Sequence, residues 1–308
     1  MKLSLILLAV LLVLLASFCH AEVVKTFKGI QDCKAFFYKG EPPKNMATKM
    51  HKRICQCLRN NNHVNYYYAT LFDPQNKIPV YSAYRLQPDE ALEVRTWYYE
   101  PQASQHFNIT QHNSSEKERG ERRRRGEGEK RVSDPNSGEQ AMQEYILGTQ
   151  LQNQARQEDY AGTQYTLGHI NPVSHNQELG RDATCTYTNV VPQLANFNNV
   201  IWANHERDLR DQLLQKCRNS IRYVLVGAVP SDKTFIGDGR VNVPSHIWSA
   251  YCCSNQVNGV DNGYQSEAFW ADNNGANVAR ITVKELEKKL INSGKFDKKV
   301  NIFQGGCS

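Results

Sequence analysis

A chain of 308 residues with 40% hydrophobic and 22% charged residues sits near the upper end for a single domain. Its formal net charge of +6 at pH 7 suits a polyanionic partner without requiring one, because a secreted protein can carry such a surplus for solubility. No segment holds the roughly 20 consecutive apolar residues that a membrane-spanning helix needs, which excludes that class.

The first 21 residues combine Lys2, an apolar run from Leu3 to Ala16, and small Ala21 at a plausible cleavage point. That pattern predicts a signal peptide and a mature chain beginning near Glu22. Loss of Lys2 takes the net charge to +5. Cys19 leaves with the leader, so Cys33, Cys55, Cys57, Cys185, Cys217, Cys252, Cys253 and Cys307 remain. Eight cysteines in an oxidising compartment predict disulfides throughout, with 105 possible pairings. A zinc site is disfavoured because Cys55-x-Cys57 and Cys252-Cys253 are spaced more tightly than structural zinc ligands.

Next along the chain, "NYYYATLF" and "IPVYSAYRL" flank the turn signal "DPQNK", which predicts a β-hairpin. From about Ser104 to Gln140 the composition changes. This stretch contains "EKERGERRRRGEGEKR", with eight basic and five acidic residues, and reads as a disordered insertion that has too little apolar surface to order itself. Asn108-Ile-Thr110 and Asn113-Ser-Ser115 at its start are N-glycosylation sequons, as expected of an exposed loop in the secretory pathway. The Arg122–Arg125 run reads first as a solvated charge run; a processing site and a nucleic-acid contact are its two functional readings.

The segment "QYTLGHINPVSHNQ" places His169 in a polar stretch without apolar periodicity. A lone histidine there reads as a hydrogen-bonded surface residue unless a second segment joins it. Such a segment is "TNVVPQLANFNNVIWANHERDLRDQL", where an Asn-rich loop runs into a helix predicted from Phe197 to about Cys217. Trp202, Leu209 and Leu213 form its apolar stripe. At about 100° per residue, Asn198 and Glu206 flank Trp202 on one broad face. Read alone, Asn196 or Asn198 is a helix cap and Glu206 a surface charge. Further on, "RYVLVGAV" and "VNVPSHIWSAYCC" predict strands, and Thr282 with Glu285 forms a capping box that starts a second helix. Strands, a long helix, more strands and a late helix define an α+β domain over 22–308, with the insertion inside it.

Together, "TLGHINP", "NVVPQ" and "NNVIWANHE" resemble, in order, the spaced motifs of the DNA/RNA non-specific endonuclease family, the ββα-metal nucleases. "DCKAFFYKGEPP", "PVYSAY", "EPQ" and "VPSHIWSAYCC" are similar to a vertebrate group within it, the endonuclease domain-containing 1 group. The resemblance implies a His-Me finger fold with an antiparallel sheet and a long metal-site helix. It also implies His169 as general base, Asn198 as metal ligand, Asn189 and Glu206 as supporting polar groups, and Arg95 as a phosphate contact. One departure stands out: Thr166-Leu167 occupies the place of the family's Asp-Arg pair.

The implied chemistry suits these residue types. Histidine can take a proton from water at neutral pH. Mg²⁺, or another divalent cation such as Mn²⁺, needs few protein ligands, so one neutral amide suffices. An arginine grips phosphate bidentately. Contacts of this kind carry no base information, so the expected partner is DNA or RNA of any sequence. The first expectation is therefore a secreted, Mg²⁺-dependent phosphodiester hydrolase, weakened at Thr166-Leu167. The alternatives are an inactive nucleic-acid-binding protein on the same fold and a glycoprotein that acts through protein contacts.

Overall fold

A computed structural model of the chain describes residues 22–60, 63–88, 96–100, 142–144, 146, 147, 149, 151–218, 220–257 and 260–307. The expected leader, the charged insertion with Asn108 and Asn113, and Arg95 lie outside these residues. In chain order the strands are β1 (Glu22–Val24), β2 (Lys52–Asn60), β3 (His63–Asp73), β4 (Ile78–Arg85), β5 (Tyr98–Tyr99), β6 (Gln143–Glu144), β7 (Tyr165–His169), β8 (Val190–Leu194), β9 (Arg222–Ile236), β10 (Val241–Val257), β11 (Val260–Asp272) and β12 (Ala279–Ile281). The helices that matter below are α1 (Leu179–Thr184), α2 (Ala203–Lys216) and α3 (Val283–Asn292).

Eight strands form one antiparallel sheet in the order β1-β2-β3-β4-β9-β10-β11-β12. The predicted hairpin is β3–β4. Asp73 starts its turn by accepting from the main-chain N–H groups of Gln75 (2.9 Å) and Asn76 (3.2 Å), which is how a short carboxylate reverses a chain locally. The strands predicted at 222–229 and 241–253 are present and run further, to Ile236 and Val257.

Antiparallel sheets often leave one face to water, but this one is covered on both. Alternation along β9 sends Val224, Val226 and Ala228 into one core and Tyr223, Leu225 and Val229 into the other. That is why "RYVLVGAV" reads as an unbroken apolar run. The first core receives Trp202, Leu209 and Leu213, with Val190 and Val191 from β8. The second is filled by Phe27, Phe37 and Tyr38, by Val283, Leu286 and Leu290 of α3, and by Ile302 and Phe303. The capping box of α3 is made in both directions between Thr282 and Glu285.

The expectation that all eight cysteines are bridged needs correction. Among the described residues three bridges form: Cys33–Cys55, Cys217–Cys253 and Cys252–Cys307. Cys57 and Cys185 stand outside them, both buried. The geometry of the sheet explains the pattern. Adjacent Cys252 and Cys253 point to opposite faces, so one ties the C-terminal segment to the second core and the other ties the end of α2 to the first. Cys55 and Cys57 would share a face, but the register shifts between Gln56 and Cys57 and turns Cys57 into the opposite core. A non-reducing proteolytic digest should therefore yield these three linked peptide pairs, and any other partner for Cys252 or Cys253 would contradict the two-faced arrangement.

Candidate active site

Strands β7 and β8 form a separate two-stranded hairpin over the first core, with Thr166 opposite Gln193, Gly168 opposite Val191 and His169 opposite Val190. Alternation puts Tyr165, Leu167 and His169 on one face, and Thr166 and Gly168 on the other. The glycine before the histidine is dictated by packing. A Cβ at position 168 would fall 2.1 Å from Gln193 Oε1, closer than any side chain tolerates. Gln193 is fully buried there, and neither atom of its amide has a hydrogen-bond partner among the described residues.

His169 ends β7 half-buried. Its Nε2 lies 3.5 Å from Cys185 Sγ, and its ring centroid is 5.5 Å from that of Trp97, which in turn packs on Tyr187. Burial lowers the imidazole pKa from about 6.5 to about 4 and raises that of the Cys185 thiol to about 11. At neutral pH the pair is therefore a neutral imidazole beside a protonated thiol. The chain leaving His169 is held by Asn189, whose four hydrogen bonds use its whole amide. Its Oδ1 accepts from Ser82 Oγ and Asn171 N, and its Nδ2 donates to the carbonyls of Asn171 and Thr184, each at 2.9 Å. Asn171 and Asn176 then pair amide to amide. Asn189 is thus a brace that fixes where His169 ends, and its side chain has no capacity left for a substrate.

The long helix does not begin as the sequence suggests. Residues Phe197–Trp202 form a π-turn, with the N–H of Ala203 donating to the carbonyl of Asn198 five residues back, and the regular helix α2 follows. Neither Asn196 nor Asn198 caps it. Instead Asn198 Nδ2 donates to Thr166 Oγ1 at 2.9 Å, and Thr166 Oγ1 donates to the Gln193 carbonyl at 3.1 Å. This leaves Asn198 Oδ1 as an acceptor without a hydrogen bond among the described residues. Asn198 thereby meets β7 three residues before His169, about 10 Å of strand away.

Glu206 lies two turns further along, half-buried, and burial raises its carboxyl pKa to about 8, so it is mostly neutral at pH 7. Its main-chain carbonyl accepts from His175 Nε2 at 2.9 Å. A carbonyl can only accept, so Nε2 carries a proton; burial lowers the ring pKa to about 4, so at pH 7 the ring is neutral and its Nδ1 accepts from Tyr84 OH at 2.8 Å. Behind the same helix, His205 sits between Trp202 and Phe269 with Nε2 2.9 Å from Ser249 Oγ.

These histidines give stability a definite pH dependence. Burial lowers His169 and His175 to about 4 and His205 to about 3. Below pH 6.5 the unfolded chain binds protons that the folded rings refuse, so their contribution falls as pH drops from 6.5 toward 4. Glu206 acts in the opposite sense, its folded carboxyl keeping a proton that the unfolded one loses above 4.5. Three rings outweigh one carboxyl, and the denaturation midpoint should be lower at pH 5 than at pH 7. An equal or higher midpoint at pH 5 would contradict the buried neutral rings.

Among the sequence-predicted residues, the structure brings Asn198 to β7 at Thr166, three residues from His169 and by alternation on the opposite face of the strand, sets Asn189 behind the end of that strand, and carries Glu206 on the helix that continues from Asn198. Arg95 lies outside the described residues, although Trp97 two residues on packs at a tilt against His169. Sequence reading missed Cys185 and Gln193 as site neighbours. Gln193 closes the "NVVPQ" motif and could have been suspected, whereas nothing local marks Cys185. Sequence reading also treated Thr166 only as a lost acid, when its hydroxyl holds Asn198. Glu100 was missed too: it is wholly buried, its main chain gripped on both sides by the amide of Gln154.

A two-faced antiparallel sheet bearing a histidine hairpin and an asparagine-led helix is the architecture of a ββα-metal nuclease. The chain belongs to the DNA/RNA non-specific endonuclease family, whose model matches residues 50–303. It is 29% identical over 287 residues to the mouse endonuclease domain-containing 1 protein, a match that covers 91% of this chain and 48% of that one. The human protein of the same name is 28% identical over 269 residues, covering 85% and 46%. The chain thus spans about half the length of the curated relatives it matches. Among solved structures, a chain in the crystal structure of the EndoG/EndoGI complex aligns over 76% of this chain and 83% of its own, at 15% identity and a TM-score of 0.45.

Proposed function

We propose that this chain is a secreted, Mg²⁺-dependent nuclease that hydrolyses phosphodiester bonds in DNA or RNA with little sequence preference. Family membership supports the reaction class. The observation that carries the reading is the neutral imidazole of His169, seated at the end of β7 with Asn198 held to Thr166 on the same strand. Three disulfides, together with the expected leader, support an oxidising compartment.

His169 is the base. In the tautomer that carries its proton on Nε2, the nitrogen 3.5 Å from the Cys185 sulfur, the Nδ1 lone pair is left to take a proton from a water molecule. Asn198 Oδ1 is the metal ligand, because its Nδ2 is already committed to Thr166 and the oxygen is left as the acceptor. Among the described residues no cluster of three or more His, Cys, Asp or Glu side chains could hold an ion, and a magnesium ion held by one amide and its own waters fits that donor set. When bound, the ion supplies positive charge to the phosphoryl oxygens. Asn189 and Glu206 act as supporting groups, the first as a brace and the second as a neutral carboxyl beside the site. By its place in the motif, Arg95 grips the phosphate, as the resemblance implies.

Nicking of supercoiled plasmid with Mg²⁺, with Mn²⁺ and with EDTA tests the reading. Asn198→Ala should slow nicking and shift its Mg²⁺ dependence to higher concentration; a variant identical to the parent in both would remove Asn198 as the ligand. The pH profile is a second check. Protonation removes the lone pair, so a base with a pKa of about 4 should keep kcat/KM nearly constant from pH 8 down to about 5, whereas an ordinary histidine would lose activity below 6.5.

A second reading has its own observation. Leu167 stands on the His169 face of β7, where the family's arginine would stabilise charge, and packs against the first core instead. A protein that binds nucleic acid without cutting it would look the same. Retention of DNA by protein that leaves plasmid intact at all Mg²⁺ concentrations would favour this reading.

A further inference from the structure

A cavity of about 350 Å³ opens beside the site hairpin, walled by Tyr165 and Leu194, the strand pair next to Thr166 and Gln193, and by Val243. Thr234 and Asn274 stand exposed at its rim, and Asn273 lines it from within. No charged side chain is among its described lining residues, so it presents no fixed charge to a phosphate. It offers an aromatic ring, aliphatic walls and amides, which is the equipment for a flat, neutral, hydrogen-bonding group.

Asn273 narrows the choice. It is 4% exposed, and its Nδ2 donates to the carbonyls of Pro192 and Pro244, both at 2.9 Å. Two carbonyls on one nitrogen fix the orientation of the amide, so the other atom must be the oxygen. That Oδ1 is buried and has no hydrogen-bond partner among the described residues. A buried acceptor left without a partner is costly, and an N–H group that enters the cavity and displaces the side chains now covering this oxygen would remove the cost. The cavity also begins four residues from His169, about 13 Å along β7, which is within reach of a nucleotide flanking the cleaved bond.

We infer that this cavity is a subsite for a nucleobase, with Tyr165 packing on the ring and Asn273 Oδ1 accepting from its N–H group. The inference deepens the nuclease reading and rests on it for the identity of the polymer. It adds a mild base preference at one position of an otherwise phosphate-read substrate, because every base offers a π-face and only the donor pattern differs.

The test uses the full mature chain in EDTA, titrated with AMP, ribose 5-phosphate and N6,N6-dimethyl-AMP, which keeps the ring but lacks the N–H donor. AMP should bind more tightly than either analogue. Asn274→Trp, which fills the mouth from an exposed position, and Tyr165→Leu should each weaken AMP binding about tenfold, within the range for loss of one base-stacking contact. Ribose 5-phosphate binding as well as AMP would overturn the base pocket, and dimethyl-AMP binding as well as AMP would overturn the role of Asn273. Absence of AMP binding by protein that nicks plasmid would overturn the subsite and leave the nuclease reading intact. AMP binding by protein that nicks nothing would support the subsite while removing the nuclease reading.

Discussion

His169→Ala is expected to lower Mg²⁺-dependent plasmid nicking by about 10² to 10⁴, the usual worth of a positioned general base, while leaving the fold and nucleic-acid retention largely intact. The fold should survive because the ring is half-buried at the end of a strand, and its contacts are one weak sulfur interaction and an aromatic neighbour at 5.5 Å. Its main chain is secured independently, by the pairing of His169 with Val190 and by the bond from Ile170 N to the Asn189 carbonyl at 2.8 Å. Asn189→Ala is the contrasting variant. It would strand the four groups bonded to that amide and should lose stability and activity together, by more than 2 kcal/mol at about 1 kcal/mol per bond. Circular dichroism melts of the two variants beside their nicking rates separate a chemical loss from a structural one. Unchanged nicking by a folded His169→Ala variant would end the general-base assignment.

The double change Thr166→Asp with Leu167→Arg is expected to raise nicking by about 10² to 10³, the worth of one group that stabilises developing charge. Leu167 shares its face of β7 with His169 and is only partly buried against the first core, so the longer arginine side chain can leave that core and carry its guanidinium to the side where the base acts. The acid at 166 has receptive neighbours. Asn198 Nδ2 already donates to the Thr166 side chain, and the buried Nε2 of Gln193, directly across the ladder, has no partner that a carboxylate would displace. One cost opposes this, since a carboxylate cannot donate to the Gln193 carbonyl as the threonine hydroxyl does. The same double change on a His169→Ala background should do nothing. An active parent that gains nothing from the pair would show that another cation has taken over the role, and inactivity in every variant would favour the binding-protein reading.

The strands at 222–229 and 241–253, the β3–β4 hairpin, the capping box of α3 and the stripe of Trp202, Leu209 and Leu213 were legible because each depends on neighbours within about ten residues. Turn chemistry, alternation and helical period act locally and leave their mark in the local sequence. The site motifs were legible only together: "TLGHINP" or "NNVIWANHE" alone reads as a surface histidine or a capped helix, and their order along the chain is what resembles the family. The glycine that must yield space to Gln193 had no local mark.

What the tertiary structure decided is everything that depends on which faces meet. The bulge after Gln56 turned Cys57 away from Cys55, and alternation sent Cys252 and Cys253 to opposite cores; pairing depends on three-dimensional proximity, which spacing does not encode. The π-turn at Phe197–Trp202 changed the phase of Asn198 relative to the helix and brought its amide to Thr166, a contact between residues 32 apart in sequence. The low pKa values of His169 and His205 and the high one of Glu206 arise from desolvation by neighbours drawn from many elements. The sequence alone determined the chemistry this chain can carry; its folded surroundings decided the protonation state of each group and the direction in which it points, because charge burial and side-chain contact exist only once distant segments have packed.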